Sequence, residues 1–233
     1  MTLCSHRASK GAHLIDDIHH HKPTGLTLPP EAPYPPAPWH ANAQLWLGLF
    51  QADAPTALPV GLAPLIGSRS RVIALIRYLE GSTLVYDELL IGTPARAGIR
   101  LGVYVEYLYV NSVASLWGGR RLWGLPKELA RFTWEGEECF VTDSAGDLLV
   151  TLRVNRSHVA LPPLPAAVVG IGQLHNSWAF ITAPMWARFG RPGLRVIAWS
   201  ARYPYSMEDR PRFALAAKSA RVTFPPPTLV SRS

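Results

Sequence analysis

One lysine, Lys127, lies in an apolar and aromatic stretch, GGRRLWGLPKELARF at residues 118–132. Only four of the 23 Lys and Arg residues in the chain are lysines, so a lysine here is unusual. An arginine stays charged in a protein, whereas a lysine amine that is removed from water can lose its proton and become a nucleophile. Lowering the pKa of a lysine by about three units costs its charged form about 4 kcal/mol. We expect burial to supply that shift for Lys127.

The segment YDELL at residues 86–90 contributes a carboxylate, Glu88, 39 residues before Lys127. In an extended strand, Tyr86 and Glu88 lie on the same face because the side-chain period is two. Glu88 is therefore a candidate acid–base partner for Lys127, and Tyr86 is a candidate wall of the same pocket. The alternatives are that Glu88 lies on a solvated strand face and that Lys127 is a solvated residue after a proline-containing turn.

Together the two segments resemble the acetoacetate decarboxylase family. The family has the pattern G-R-x-L, then two or three residues, then P-K-[KE]-L, with a Y-x-E motif upstream, and Tyr86 to Phe132 carry this likeness. The resemblance implies a Schiff base between Lys127 and a substrate ketone, with Glu88 assisting. It also implies a keto acid as substrate, no cofactor, no metal and a homo-oligomer. Residues close to Lys127 in sequence, Arg120, Trp123 and Leu125, complete the predicted substrate pocket.

Three positions depart from the family pattern. Glu128 replaces the second lysine of the family's P-K-K triplet, and in an extended segment it would point away from Lys127. Asn42 stands where the family has a substrate-binding arginine, and Ile73 stands where it has a further carboxylate. Decarboxylation, aldol chemistry and dehydration therefore remain open as reactions. The alternative is a small-molecule-binding β-barrel that kept the fold and lost the decarboxylase activity.

The elements that must position these residues are short runs rich in Val, Ile, Leu and Tyr. DSAGD at residues 143–147 predicts a hairpin turn, and only 211–220 has helical texture. In the longest run, alternation predicts one strand face for Leu101, Val103, Val105, Tyr107 and Tyr109. Many strands with few helices indicate a mainly β protein. The family resemblance narrows this to a closed antiparallel β-barrel or cone with a few short helices.

Composition limits the domain organisation and the partners. Residues 1–38 are rich in Pro and His and predict an extended arm, in which the three histidines at 19–21 form no defined metal site. Residues 39–233 predict a single domain. The net charge of +7 is scattered along the chain, so we expect no nucleic-acid partner and, without a long apolar run, no membrane partner. Two cysteines form no disulfide framework, which favours a cytoplasmic protein.

Overall fold

A computed structural model describes residues 28–155, 161–190 and 193–232. The first 27 residues of the predicted arm, including the histidines at 19–21, lie outside this part of the chain. The described residues form fourteen strands and one helix. The strands are β1 Trp39–Gln51, β2 Ala63–Pro64, β3 Ser70–Tyr78, β4 Tyr86–Ala97, β5 Arg100–Val110, β6 Lys127–Leu129, β7 Arg131–Glu135, β8 Glu138–Thr142, β9 Leu148–Val154, β10 Leu164–Leu174, β11 Ser177–Gly190, β12 Leu194–Trp199, β13 Phe213–Phe224 and β14 Thr228–Ser231. The helix, α1, is Val113–Trp123.

Seven strands close into a barrel, in the order β4, β3, β1, β13, β11, β10 and β5, and pairing of β5 with β4 completes the ring. All of these pairs are antiparallel except that of β5 with β10. The predicted mainly β fold with a closed barrel is therefore confirmed, as is the hairpin turn between β8 and β9.

A second sheet of four strands, β12-β9-β8-β7, covers part of the outer surface of the barrel. Its apolar face, which includes Val141 and Leu152, packs with Phe50, Ile73 and Leu75 in one buried cluster. The alternate residues of the same barrel strands, such as Ala74, belong to a different cluster inside the barrel. Strands β1, β3 and β4 are thus buried on both faces, as their apolar sequences require.

Strand β5 changes its pairing partner along its length, and this change positions the lysine. The first half of β5 pairs with β10, through Val103 and Tyr104. Its last three residues pair instead with β6, where Leu108 lies opposite Lys127. Helix α1 connects β5 to β6. Lys127 therefore enters the wall of the barrel through a short parallel strand that replaces β10 at this end.

The sequence interpretation was wrong at two places along the chain. None of residues 211–220 is helical, and 213–220 belong to β13, which is hydrogen-bonded to β1 on one side and β11 on the other. The alanines that suggested a helix have only a weak preference for helix, and strand pairing overrides it. In β5, a register shift leaves Glu106 as an extra residue opposite the Ile91–Gly92 step. This bulge interrupts the alternation predicted for Leu101 to Tyr109.

Helix α1 was not predicted, although both of its ends carry recognisable signals. Ser112 precedes it and its side chain accepts a hydrogen bond from the Ser115 backbone N–H, which is an N-cap. Gly124 ends it in the left-handed conformation, with φ of 61°. The adjacent Gly118 and Gly119 disfavour a helix by propensity alone. Packing against the barrel overrides that preference.

The described end of the arm packs on this helix. Trp117 donates a hydrogen bond from Nε1 to the carbonyl of Pro30, and Arg121 forms an ion pair with Glu31. Trp39 binds the carbonyl of Pro35 in the same way. The boundary between an arm and a domain at residue 38 stays a prediction. The single helix of the described residues, α1, is not long and apolar enough to span a membrane.

Candidate active site

Lys127 lies in the barrel wall with only 3% of its surface exposed. Its Nζ donates hydrogen bonds to three side-chain oxygens: Glu88 Oε2 at 2.8 Å, Ser115 Oγ at 2.8 Å and Tyr86 OH at 3.3 Å. An ammonium group has three N–H donors, so the three partners satisfy it completely. The sequence prediction that Lys127, Glu88 and Tyr86 lie together agrees with this geometry.

Two tyrosines also bind the Glu88 carboxylate, one at each oxygen. Tyr78 donates to Oε1 at 3.1 Å and Tyr86 donates to Oε2 at 3.3 Å, and both phenol rings stack at 4.4 Å. The strand register explains the contact, since Tyr78 lies opposite Tyr86 in the pairing of β3 with β4. The sequence analysis missed Tyr78 because strand pairing, not sequence spacing, places it at the site.

Ser115 is the second residue that the sequence analysis missed. It lies in the first turn of α1 and is fully buried. The N-cap bond from its backbone to Ser112 fixes this turn, so the Oγ is presented to Lys127. A Cβ on Gly119, one turn later, would come within 2.4 Å of the Lys127 Cδ. Glycine at this position lets the helix lie directly on the aliphatic part of the lysine.

The pKa of Lys127 is raised from its ordinary value. Burial lowers it, but the nearby carboxylate of Glu88 and the phenol of Tyr86 both raise it, and their sum prevails. The expected downward shift is therefore wrong for the protein without substrate. Its cause, burial, is present, but a carboxylate 2.8 Å away favours the charged amine more strongly.

The two tyrosines have raised pKa values for a related reason. Burial and the Glu88 carboxylate raise the pKa of Tyr86 to about 12, against the lowering effect of Lys127. The pKa of Tyr78 lies well above its ordinary value, through burial and then through Glu88. Both phenols therefore carry their protons at neutral pH and act as hydrogen-bond donors to Glu88.

The other predicted pocket residues lie outside this hydrogen-bonded group. Arg120 donates a hydrogen bond from its Nε to the backbone carbonyl oxygen of Lys127, seven residues later, at 2.7 Å. Trp123 and Leu125 belong to a cluster around Trp39, separate from the one that contains Tyr86. They support the helix and the β6 strand, and they make none of the bonds to Nζ.

The positions that depart from the family pattern face away from the barrel interior. Asn42 lies between the inward-facing Ala41 and Ala43, and its side chain binds the carbonyl of Glu80. Ile73 is buried under the second sheet, next to the inward-facing Ala74. The inward-facing neighbours are alanines, so neither stretch offers a substrate carboxylate a cation.

Glu128 is half-buried and adjacent to Lys127 in a strand, as predicted from the extended geometry of this segment. The Arg120 guanidinium lies close enough for Glu128 to raise its pKa, although burial lowers that pKa more strongly. The largest effects on the pKa of Lys127 come instead from burial, Glu88 and Tyr86. In the described part of the chain, no group of three or more His, Cys, Asp or Glu side chains could hold a metal ion.

Comparison with known proteins agrees with the fold and with the motif. A solved acetoacetate decarboxylase aligns with a TM-score of 0.62 at 14% identity, over 85% of this chain and 91% of that chain. The acetoacetate decarboxylase from Legionella pneumophila gives 0.61 at 17% identity, over 97% and 98%. The enduracididine biosynthesis enzyme MppR complexed with pyruvate gives 0.57 at 15% identity, over 87% and 94%. These identities support the fold alone.

A search of curated proteins finds no significant match to the sequence. The family described as acetoacetate decarboxylase (ADC) matches residues 31–167, a region that includes Tyr78, Glu88, Ser115 and Lys127. This region is more than half of the 233-residue chain. The protein therefore belongs to the acetoacetate decarboxylase family.

Proposed function

We propose that the protein is a Schiff-base-forming lyase that acts on a keto acid through Lys127. The observation that carries this proposal is the buried pair of Lys127 and Glu88, with 2.8 Å between Nζ and Oε2. A lysine becomes a nucleophile only after it loses a proton. Here the carboxylate that can take the proton is already hydrogen-bonded to it.

Proton transfer within the pair produces a neutral amine and a neutral carboxylic acid. A low-dielectric site penalises separated charges, so transfer becomes easier when the bound substrate excludes water from the pair. The raised pKa of Lys127 therefore describes the resting state, in which the carboxylate is present as an anion. Glu88 is both the base that takes the proton from Lys127 and the acid that later donates it to the leaving oxygen.

The iminium that follows is an electron sink. With a β-keto acid, the bond to the carboxylate breaks, carbon dioxide leaves and the electron pair moves to the nitrogen to give an enamine. With an α-keto acid, loss of a proton beside the iminium gives an enamine that can attack an aldehyde. MppR, which is named as a complex with pyruvate, supports testing an α-keto acid beside acetoacetate.

A second candidate function is a small-molecule-binding barrel without catalysis. The alanines that face inward beside Asn42 and Ile73 favour it, because the described interior there offers no cation to hold a substrate carboxylate. The raised pKa of Lys127 also favours it, since only the neutral amine attacks a ketone and a raised pKa makes that form less populated. The two candidates make opposite predictions for covalent trapping.

The test is reductive trapping of the imine. The protein is incubated with acetoacetate, pyruvate and several longer keto acids, reduced with borohydride, and digested for mass spectrometry. We expect an adduct on Lys127 with at least one of them and none in the Lys127→Arg variant. Release of carbon dioxide then separates decarboxylation from aldol or dehydration chemistry. A protein that binds these acids but gives no adduct on Lys127 would instead be the non-catalytic barrel.

A further inference from the structure

Ser115 has a contact that neither the motif nor the pairing of Lys127 with Glu88 explains. Its Oγ lies 2.8 Å from Lys127 Nζ, the same distance as the Glu88 oxygen, and its side chain is fully buried. The hydroxyl is also a hydrogen-bond partner of Tyr86. A serine in the first turn of a helix more often binds backbone or water, but this one faces a buried ammonium.

The hydroxyl groups at the site donate their hydrogens to different acceptors. The phenol hydrogens of Tyr78 and Tyr86 are both directed to the Glu88 carboxylate. Ser115 accepts from Nζ, and its own hydrogen is left for the Tyr86 hydroxyl oxygen and not for the carboxylate of Glu88. It is therefore the hydroxyl that can donate to a new acceptor without breaking a bond to the carboxylate.

Imine formation requires such a donor. When the neutral amine attacks a ketone, the carbonyl oxygen becomes negative and the nitrogen becomes positive, one carbon apart. Direct proton transfer from that nitrogen to that oxygen closes a strained four-membered ring. A hydroxyl between them, which accepts one proton and donates another, enlarges the ring to six members and stabilises the oxyanion as it forms.

We propose that Ser115 is a further catalytic residue that donates its hydrogen to the substrate carbonyl oxygen and takes a proton from Lys127 Nζ. This rests on the proposed Schiff-base function. The full sequence balances. Glu88 takes one proton from the ammonium, and the N–C bond forms as the C–O π bond breaks. Ser115 moves a second proton from nitrogen to oxygen and ends unchanged. Glu88 returns its proton to the hydroxyl, water leaves, and the iminium keeps one N–H.

The same geometry makes Ser115 independent of the binding of the rest of the substrate. Ser115 contacts the reacting nitrogen of Lys127. The substrate atom to which it would donate is the carbonyl oxygen, which every ketone substrate has. We therefore expect its loss to slow imine formation and to leave the half-saturating substrate concentration nearly unchanged. A residue that merely supported the helix would alter binding and stability together.

The experiment measures single-turnover labelling of Lys127 with cyanoborohydride, using the fastest-labelling acid among acetoacetate, pyruvate and longer keto acids. Four proteins are compared: the wild type and the variants Ser115→Ala, Ser115→Thr and Ser112→Ala. We expect Ser115→Ala to label about 100-fold more slowly, the magnitude of a general acid–base contribution. Ser115→Thr, which keeps a hydroxyl, should recover most of the rate.

Ser112→Ala is the matched control. It removes the N-cap of the same helix and destabilises the fold, but it leaves the hydroxyl at Nζ in place. Because the hydroxyl of Ser115 is retained, the labelling rate of Ser112→Ala should fall far less than that of Ser115→Ala. Exchange of ¹⁸O from the substrate carbonyl into water follows imine formation without a reductant and should show the same ranking.

The outcomes separate the two proposals. If the wild type is never labelled on Lys127, the Schiff-base function fails, and the role of Ser115 fails with it. If the wild type is labelled and Ser115→Ala is labelled equally fast, the function stands and the role of Ser115 is wrong. If Ser112→Ala slows labelling as much as Ser115→Ala, the helix and not the hydroxyl is responsible, and the proposal is again overturned.

Discussion

Two buried cation–carboxylate pairs among the described residues differ in what surrounds the cation. Arg71 and Glu106 lie on the outer side of the barrel, with side-chain exposures of 0% and 4% and a separation of 3.7 Å. Lys127 and Glu88, at 3% and 8%, lie 2.8 Å apart at the barrel wall. Burial is therefore nearly equal, and it does not by itself distinguish a reactive pair from a structural one.

The partners make the difference. The Arg71 guanidinium donates to three backbone carbonyls, those of Ser68, Ser70 and Ala54, and to one hydroxyl, that of Thr56, and it stacks on the ring of Tyr205. Backbone carbonyls accept hydrogen bonds but are too weakly basic to take the proton itself. All three hydrogen-bond partners of the Lys127 Nζ are side-chain oxygens, and each belongs to a carboxylate or a hydroxyl. An arginine bound mainly to backbone ties loops to the sheet and keeps its charge, whereas a lysine bound only to carboxylate and hydroxyl oxygens can change its protonation.

The largest effect is expected from exchanging the two cation types. Lys127→Arg keeps a positive charge beside Glu88 but removes the nucleophile, so labelling by a keto acid and borohydride should be lost completely. Arg71→Lys is the reciprocal change, and it should retain labelling of Lys127. Mass spectrometry of the digested proteins measures both. Labelling of Lys127→Arg at another lysine would show that imine formation is not specific to this site.

Replacing the carboxylate should change both the rate and the pH dependence. In Glu88→Gln, we expect labelling of Lys127 to slow by about 100-fold or more because the acid–base group is lost. Removing Glu88 also removes its upward effect on the pKa of Lys127, so burial should then lower that pKa. The pH at which labelling is half-maximal should shift downward, and an upward shift would contradict the assigned cause.

The same variant reverses the pH dependence of stability. In the wild type, the folded pKa of Lys127 is raised, so its stabilising effect is complete below the unfolded lysine value of about 10.4. It is lost as the pH rises through the folded value. In Glu88→Gln, a lowered folded pKa makes the protein gain stability as the pH rises toward about 10.4. Urea unfolding between pH 7 and pH 11 measures both curves.

The structural pair should respond to truncation by losing stability and not activity. Arg71→Met leaves the Glu106 carboxylate buried without its cation, which costs about 3–5 kcal/mol. In a protein of this size the Tm should fall by roughly 10 °C. Calorimetry measures the fall, and labelling of Lys127 at a temperature where the variant is folded should match the wild type. A tenfold loss of labelling would mean that the two pairs are coupled.

The smallest effect on labelling and stability is expected at Tyr78, which contacts Glu88 but not Lys127. Tyr78→Phe removes one hydrogen bond to the Glu88 carboxylate but leaves the stacking on Tyr86, so we expect a loss of about 2 kcal/mol in the free energy of unfolding. Labelling of Lys127 should slow by less than about tenfold, because Tyr78 does not touch Nζ. Urea unfolding and labelling kinetics test this, and a loss as large as that of Glu88→Gln would place Tyr78 in the proton pathway.

The site was only partly predictable from the sequence. Lys127 and Glu88 were found because the scarcity of lysine, the apolar neighbourhood and the motif spacing are local properties. Tyr86 followed from the strand period, which is also local. Tyr78 and Ser115 were not found, because strand register and the path of an unpredicted helix bring them to Nζ. Arg120 is near in sequence, but its guanidinium binds the backbone of β6.

The sequence by itself determined the β-rich character, the closed-barrel family and the lysine–glutamate pair, because these depend on side-chain alternation and on short motifs. Only the tertiary structure decided the direction of the pKa shift of Lys127. Desolvation can be inferred from neighbouring apolar residues, but its balance against a carboxylate depends on a distance, and that distance is 2.8 Å. The tertiary structure also decided that Asn42 faces outward, since one residue of strand register exchanges the inner and outer faces of a barrel.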